Sequence, residues 1–306
     1  MELPQDQRVI EDLAEFAKDW AVSNGMVMRH KSSKNSSELC QFAPFTLFPT
    51  QIPKNLLNLG RKVQKPLNEL YFHVSVDFAF ISDSLENVAK TDEFIRRQLE
   101  IYRQIVSEGI AQPLVLQIQR SDYMVHSKSK SPELKQIEVN NIASSFAPLA
   151  DRCTLLHKAV LNRLENNGLL SKKLPENNAL ATVTGGLFEA WKAYGNPKAI
   201  LLTVVEDTNQ NIADQRLIEF ELLRLSDHEL NCVRLTLSEC ETCLILGEGK
   251  RLKLYSKVRQ CEEEVAVVYF RSGYIPGQYP SEVEWSARLK ARAPHLKYQQ
   301  MVLKIE

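Results

Sequence analysis

Lys135 to Phe146 reads K-Q-I-E-V-N-N-I-A-S-S-F, and the alternation of its side chains decides how the rest of the chain is arranged around it. In a strand, Ile137 and Val139 point to one face while Glu138 and Asn140 point to the other. A carboxylate and an amide oxygen are hard ligands, of the kind that Mg²⁺ takes one or two at a time while phosphate oxygens and water complete its shell. The strand is expected to end at Asn140, with a loop over Asn141 to Ser145 and Ser144 or Ser145 capping a helix that begins near Phe146. Backbone N–H groups at such a helix start favour an anion. The same stretch also admits a plain reading, a polar strand face followed by a serine cap.

Immediately upstream, Leu114, Leu116 and Ile118 alternate with Val115, Gln117 and Gln119, a strand pattern that runs into Arg120-Ser-Asp-Tyr-Met124. A turn-rich loop through Lys130 joins it to the Lys135 to Asn140 strand, which predicts a hairpin. Strict alternation puts Arg120 on the apolar side, where an unpaired charge costs several kcal/mol. Its partner is either a structural carboxylate such as Asp122 or a ligand. The preceding third is mainly helical. Ile10, Leu13, Ala17 and Trp20 share one face of a helix that Gly25 should stop, and Pro53 and Pro66 should each open another. Thr91 is placed to cap a helix carrying Ile95, Leu99, Tyr102 and Val106. Between the first two helices, A-P-F-T-L-F-P-T (Ala43 to Thr50) is bracketed by prolines and reads as an extended, buried connector.

Downstream, a helix with Leu155, Leu156, Val160 and Leu164 is followed by a polar connection from Asn166 to Asn178. The pattern then alternates between helix and strand: Ala199 to Val205, a helix from Ile212, Val233 to Leu237, a short strand at Leu244 to Leu246, and Val265 to Phe270. Such apolar strands belong to a parallel sheet covered by helices on both faces, and ligands bind beyond the carboxyl ends of those strands. Two polar clusters lie there, Glu206 to Gln215 and Arg271 to Tyr274. Arg271 is expected beside Gln215 and the Ser144-Ser145 loop, able to clamp a carboxylate; the alternative is a surface arginine paired with Glu262 to Glu264. The glycine-rich phosphate fingerprints are absent.

Over 306 residues the 38 basic and 38 acidic side chains cancel, and the footprint of a nucleic-acid binder is missing. The His126 to Lys130 patch reads as a solvated loop. No apolar run approaches a membrane span, and the amino terminus lacks a signal-peptide pattern, so a cytoplasmic protein is expected. The six cysteines are too few and too scattered for a disulfide framework, and Cys240-Glu-Thr-Cys243 lacks the second pair or histidine of a zinc site.

Six stretches, taken together and in order, resemble eukaryotic-type glutathione synthetase. They are A-P-F-T-L-F-P at Ala43, E-G-I-A-Q at Glu108, R-S-D-Y-M at Arg120, L-K-Q-I-E-V-N at Leu134, N-I-A-D-Q-R at Asn211 and V-V-Y-F-R-S-G-Y-I-P at Val267. The resemblance implies an ATP- and Mg²⁺-dependent ligase that joins γ-glutamylcysteine to glycine through an acyl phosphate, as a homodimer. It implies an α/β fold of a permuted ATP-grasp type: residues 1–197 as a helical region with part of the catalytic domain, and residues 198–306 as a doubly wound, largely parallel substrate domain. By position, Arg120 falls on a catalytic, substrate-binding arginine, and Glu138 and Asn140 on the metal ligands, with Glu138 also close to ATP. Ile142, Ala143, Ser144 and Ser145 match one substrate loop, Asn209, Gln210, Asn211 and Gln215 a second, and Arg271, Ser272, Gly273 and Tyr274 a third.

The departures are specific. Ala147-Pro148 stands where the family has Gly-Gly, Ala143 where a serine is common, Asn209 and Gln210 where a charged pair is usual, and Ser272 where an aspartate is. The sequence ends at Lys304-Ile-Glu306, ahead of the family's glycine-rich loop and ATP-binding lysines. Catalysis is therefore expected to need that further segment. The alternative is a non-catalytic relative that binds γ-glutamyl peptides or serves as an interaction or regulatory subunit.

Overall fold

The computed structural model describes residues 4–109, 114–127, 131–165, 168–248, 251–256 and 258–291. Residues 110–112 of the E-G-I-A-Q stretch, 128–130 of the basic patch, 166–167 of the polar connection and 304–306 lie outside them. By contact the chain forms two units. One comprises Met1–Gln51, Ser145–Phe188 and Asp207–His228, the other Ile52–Ser144, Glu189–Glu206 and Glu229–Glu306.

The first unit opens with α1 (Gln7–Ser23), where the Asp6 carboxylate accepts from the Arg8 N–H at 2.9 Å. Leu13, Ala17 and Ala21 recur every fourth residue and bury one face. The helix ends at Gly25, whose φ of 74° suits a residue without Cβ. A short antiparallel hairpin follows, β1 (Val27–Arg29) with β2 (Cys40–Phe42). Beyond it the chain is extended, as expected, and Ala43, Phe45, Leu47 and Phe48 join a core with α1 and with Leu149, Leu156 and Val160 of α5 (Ala147–Leu164). His157 Nε2 donates to the Thr46 carbonyl at 2.8 Å, which pins this connector to α5. α7 (Ile212–Leu225) adds Ile218 and Leu222 to the buried set.

Neither Ser144 nor Ser145 caps α5. Phe146 occupies the cap position with φ 73°, and its own side chain makes no capping bond. The carboxylate of Asp214, fully buried on α7, accepts instead from the Phe146 N–H at 3.0 Å and the Leu149 N–H at 3.4 Å. The Ser144 hydroxyl is engaged elsewhere, donating to the Asn140 carbonyl at 2.9 Å.

The second unit is built on a five-stranded sheet of order β6-β5-β9-β8-β7. β5 (Ile200–Val204) is buried throughout and runs parallel to β6 (Cys232–Leu235) and β9 (Cys261–Phe270). The expectation of a largely parallel sheet fails in the other half. There β8 (Leu252–Ser256) pairs antiparallel with both β9 and β7 (Leu244–Leu246). These strands follow one another through connections too short for the crossover that parallel pairing requires. The core beneath the sheet combines Ile200, Leu202, Val204, Leu252, Leu254 and Val265 with α8 (Leu237–Cys243) and α9 (Glu282–Lys290), edged by Phe94, Tyr279 and Trp285. Cys240 and Cys243 both lie buried in α8, and burial pushes the Cys240 thiol up to about 12, so it is no thiolate nucleophile.

Besides α8 and α9, this unit holds α2 (Lys54–Val76), α3 (Phe78–Ala89) and α4 (Glu93–Glu108). α2 runs straight through Pro66 rather than restarting there; the proline removes one ladder hydrogen bond but not the helix. α4 is capped by Asp92, which accepts from the Ile95 N–H at 3.0 Å, and not by Thr91, whose hydroxyl donates to Val88. Residues 114–119 carry no strand pairing, so the hairpin is confined to β3 (Arg120–His126) and β4 (Glu133–Asn140). α6 (Ala179–Tyr194) contributes to both units, and its Trp191 Nε1–H donates to the Ala199 carbonyl at 2.8 Å just ahead of β5. Among the described residues no helix is long and apolar enough to cross a membrane.

Candidate functional site

The hairpin puts Arg120 opposite Asn140 and Asp122 opposite Glu138, and side chains paired across an antiparallel ladder share a face. Between Asp122 and Tyr123 the register slips by one residue, so Tyr123 faces Gln136 and Val125 faces Leu134. Leu134 lies against Gly60 of α2. In an unbroken strand Leu134 and Glu138, four residues apart, would share a face; the bulge turns Leu134 toward α2 and leaves Glu138 open on the other side.

On that open face the Arg120 guanidinium binds Asp122 side-on, Nε to Oδ1 and Nη2 to Oδ2, both at 2.9 Å. Glu138 Oε1 lies 3.8 Å from Arg120 Nη2. The Asn140 amide donates to Glu138 Oε1 at 3.2 Å and to Asp122 Oδ2 at 3.3 Å. Arg120, Glu138 and Asn140 thus form one cluster. Of the two partners open to Arg120 in the sequence, the structural carboxylate is present. Its hydrogen bonds hold the Asp122 carboxyl below the usual carboxylate range, against an opposing effect of burial. A depressed folded-state value means that the pair's contribution to stability is complete above about pH 4 and fades as pH falls through the folded-state value. Both side chains are more than a third exposed, so that contribution stays under about 1 kcal/mol. A carboxyl-carbon NMR titration should place Asp122 below an ordinary aspartate and return it to the ordinary range in Arg120→Ala; an unchanged midpoint would contradict the assignment.

No group of three or more His, Cys, Asp or Glu side chains able to hold a metal ion occurs among the described residues. The donors present are the exposed Glu138 carboxylate and the Asn140 amide, with Asp122 already held by Arg120. That set fits an ion such as Mg²⁺, which takes few protein oxygens and completes its shell from phosphate and water.

From Asn140 the chain leads directly to the second group of residues. Ile142 and Ala143 form the turn, Ala143 with φ 52°. Arg271 follows β9, its N–H bonded to the Val204 carbonyl at 2.8 Å, and its Nη1 donates to the Ser144 carbonyl at 2.9 Å and the Tyr269 hydroxyl at 3.3 Å. Arg271 and Ser272 are each 3% exposed. The alternative pairing with Glu262 to Glu264 does not occur, since those carboxylates bind Lys253, Arg259 and Arg251. After Gly273 the loop is gathered by a residue that sequence reasoning missed. Gln278 Oε1 accepts from the N–H groups of Gly273, Tyr274 and Ile275 at 2.7, 2.9 and 3.4 Å, and its Nε2 donates to Glu206 at 2.9 Å. The Tyr274 hydroxyl donates to the same Glu206 oxygen at 2.6 Å, and this bond pushes the phenol above its ordinary value.

The remaining candidates belong to the first unit. Asn209 is 7% exposed and Gln215, on the first turn of α7, 5%. Ser145 also lies in this unit, directly before the α5 cap. Asn209 Nδ2 and Asn211 Oδ1 are buried without a hydrogen-bond partner. The Gln210 carbonyl accepts from the Arg29 N–H at 2.9 Å. Of the departures, Ala147-Pro148 opens α5, and proline is at home in a first helical turn, where its missing N–H costs nothing.

The family described as eukaryotic glutathione synthase, ATP binding domain, matches residues 7–303. The chain is 39% identical to glutathione synthetase of Rattus norvegicus over 286 residues, covering 93% of this chain and 58% of that protein. Glutathione synthetase of Homo sapiens is also 39% identical, over 96% of this chain and 60% of the relative. The chloroplastic enzyme of Arabidopsis thaliana is 33% identical over 93% of this chain and 52% of the relative. The chain thus spans less than two thirds of the length of these relatives. A solved apo structure of a glutathione synthetase-like effector from Globodera pallida superposes with a TM-score of 0.71 at 24% identity, over 95% of this chain and 71% of that one, which establishes a shared fold. The extent of these matches places the chain in the eukaryotic glutathione synthase family.

Proposed function

We propose that this chain carries the γ-glutamylcysteine-binding side of an ATP-dependent carbon–nitrogen ligase that adds glycine. One observation supports this reading above the others: an unbroken set of contacts from Arg120 through Glu138 and Asn140 to Ser144 and on to the buried Arg271. It sets an open face of oxygen donors beside a loop held by a guanidinium. In this reading ATP phosphorylates the cysteinyl carboxylate, and the glycine amine then attacks the acyl phosphate and expels phosphate. Glu138 and Asn140 would hold Mg²⁺, which supplies charge neutralisation on the transferred phosphoryl group. Arg120, kept in place by Asp122, faces the charge that develops there, and positioning of this kind supplies much of the rate. Residues 142–145, 209–211 with Gln215, and 271–274 would hold the peptide. The proposal includes the permuted ATP-grasp arrangement, with residues 1–197 belonging to the catalytic part and 198–306 to the substrate domain, a homodimer, and a cytoplasmic setting.

The departures at Ala143, Asn209, Gln210 and Ser272 favour a second reading, peptide binding without turnover. Calorimetry with γ-glutamylcysteine tests what the two readings share. The wild type should bind, and Arg271→Lys, which keeps the charge but loses the planar fork, should bind roughly tenfold more weakly or worse. Equal affinities would remove Arg271 from the site. Phosphate release with ATP, Mg²⁺, the peptide and glycine, against a Glu138→Ala control, then separates ligase from binder.

A further inference from the structure

The loop that carries Asn209 and Asn211 is held in a costly arrangement. Two amide groups, one donor and one acceptor, are sealed from water there without a protein partner. Buried polar groups left in this state favour any local shift that lets them reach solvent. Something must keep the loop where it is. Two hydrogen bonds tie its backbone to one residue, at the end of β1. The Arg29 N–H donates to the Gln210 carbonyl at 2.9 Å, and Arg29 Nη1 donates to the Asn209 carbonyl at 3.4 Å.

The rest of the Arg29 side chain is fixed from the opposite direction. Nη1 also donates to the Lys34 carbonyl at 3.2 Å and Nε to the Ser37 hydroxyl at 3.1 Å, both in the β1–β2 connection. That connection is braced within itself. The His30 N–H bonds the Leu39 carbonyl at 2.9 Å, the Ser33 N–H bonds the His30 carbonyl at 2.9 Å, and His30 Nδ1 meets the Ser32 hydroxyl at 2.7 Å. The guanidinium therefore bridges a braced turn to the backbone of a loop whose side chains lack partners. A planar group with several donors in fixed directions can do this; a lysine ammonium on a flexible stem cannot hold the same set.

We infer that Arg29 is a positioning residue for the Asn209–Asn211 loop: it fixes the backbone so that the two orphaned amides stay aimed at a ligand offering both an acceptor and a donor, as the amino-acid head of γ-glutamylcysteine does. The ligand half of this inference rests on the function proposed above; the clamp itself does not. The residue 29 amide is a direct reporter, because it bonds Gln210 whatever side chain it carries. In the ligand-free protein, Arg29→Ala and Arg29→Lys should each speed hydrogen exchange at amide 29 roughly tenfold, while the amides of α1 and α5 keep wild-type protection. Peptide affinity should fall by roughly the same factor, the scale set by one hydrogen bond from a charged group. Should Arg29→Ala not fold, Arg29→Lys decides alone. Unchanged exchange at amide 29 in a folded variant overturns the clamp, and so does faster exchange spread evenly over the whole unit. A wild type that fails to bind γ-glutamylcysteine overturns the ligand half and leaves the exchange result to judge the clamp.

Discussion

Asp214→Ala should lower the unfolding free energy by about 2–3 kcal/mol, the combined scale of a lost helix cap and of hydrogen bonds to a buried charged group. The carboxylate is fully buried and accepts from the Phe146 and Leu149 N–H groups. Alanine would take the acceptor from both donors at the start of α5, the Leu149 N–H in a buried setting, with Phe146 still held at φ 73°. Pro148 adds to the dependence, since it supplies no N–H with which the first turn could adjust. Asp214→Asn keeps one acceptor oxygen and should recover about half of the loss, because a neutral acceptor bonds more weakly than a carboxylate. Urea unfolding of the three proteins at neutral pH measures this, and a loss below about 0.5 kcal/mol for alanine would show that the first turn is satisfied by other means.

Gly273→Ala should cost a similar amount, about 2–4 kcal/mol from backbone strain and overpacking together. Gly273 has φ 91°, and a Cβ built on it would stand 2.7 Å from the Tyr279 hydroxyl oxygen. That ring has little room to retreat: it is 7% exposed, stacks on Trp285 with 4.0 Å between centroids, and donates to the Gly273 carbonyl at 3.0 Å. Tyr279→Phe removes the clashing oxygen and nothing else of bulk. In the double variant the steric share of the cost should vanish and the conformational share remain, giving a coupling of at least about 1 kcal/mol. Strict additivity would mean that the clash is relieved by some other movement. On the proposed function, γ-glutamylcysteine binding should weaken in Gly273→Ala as well, because Ser272 and Tyr274 flank the displaced residue.

Local patterning was enough to read much of this molecule. The stop of α1 at Gly25, the extended connector after β2, the buried strand β5 and the position of Arg271 at the end of β9 each follow from signals within a few residues of the feature. Glu138 and Asn140 share a face as their alternation predicts, but Arg120 lies on that open face and not on the apolar side, because residues 114–119 carry no strand pairing to set its phase. What escaped was decided at a distance. The cap of α5 comes from Asp214, sixty-eight residues after Phe146, and nothing near either position announces the bond. Gln278 looks like an ordinary surface polar residue until the turn at Gly273 points three amides at its one oxygen. β8 escaped because its alternation spans only five residues, and its pairing with β9 reversed the expected sense of half the sheet. Pro66 shows the reverse error, a strong local signal overridden by the packing of a long helix.

The bulge opposite Asp122 has a consequence for how the hairpin tolerates change. Because one extra residue separates the two phases of β4, the half that leans on α2 and the half that carries Glu138 and Asn140 are read in different frames. Substitutions at Leu134 are judged by the helix, and substitutions at Glu138 or Asn140 by the open face, with little cross-talk between them. The length of the strand has no such freedom. Removing a single residue such as Ile137 would merge the frames and turn either the anchor or the carboxylate to the wrong side, so this segment can drift in composition while its residue count stays fixed.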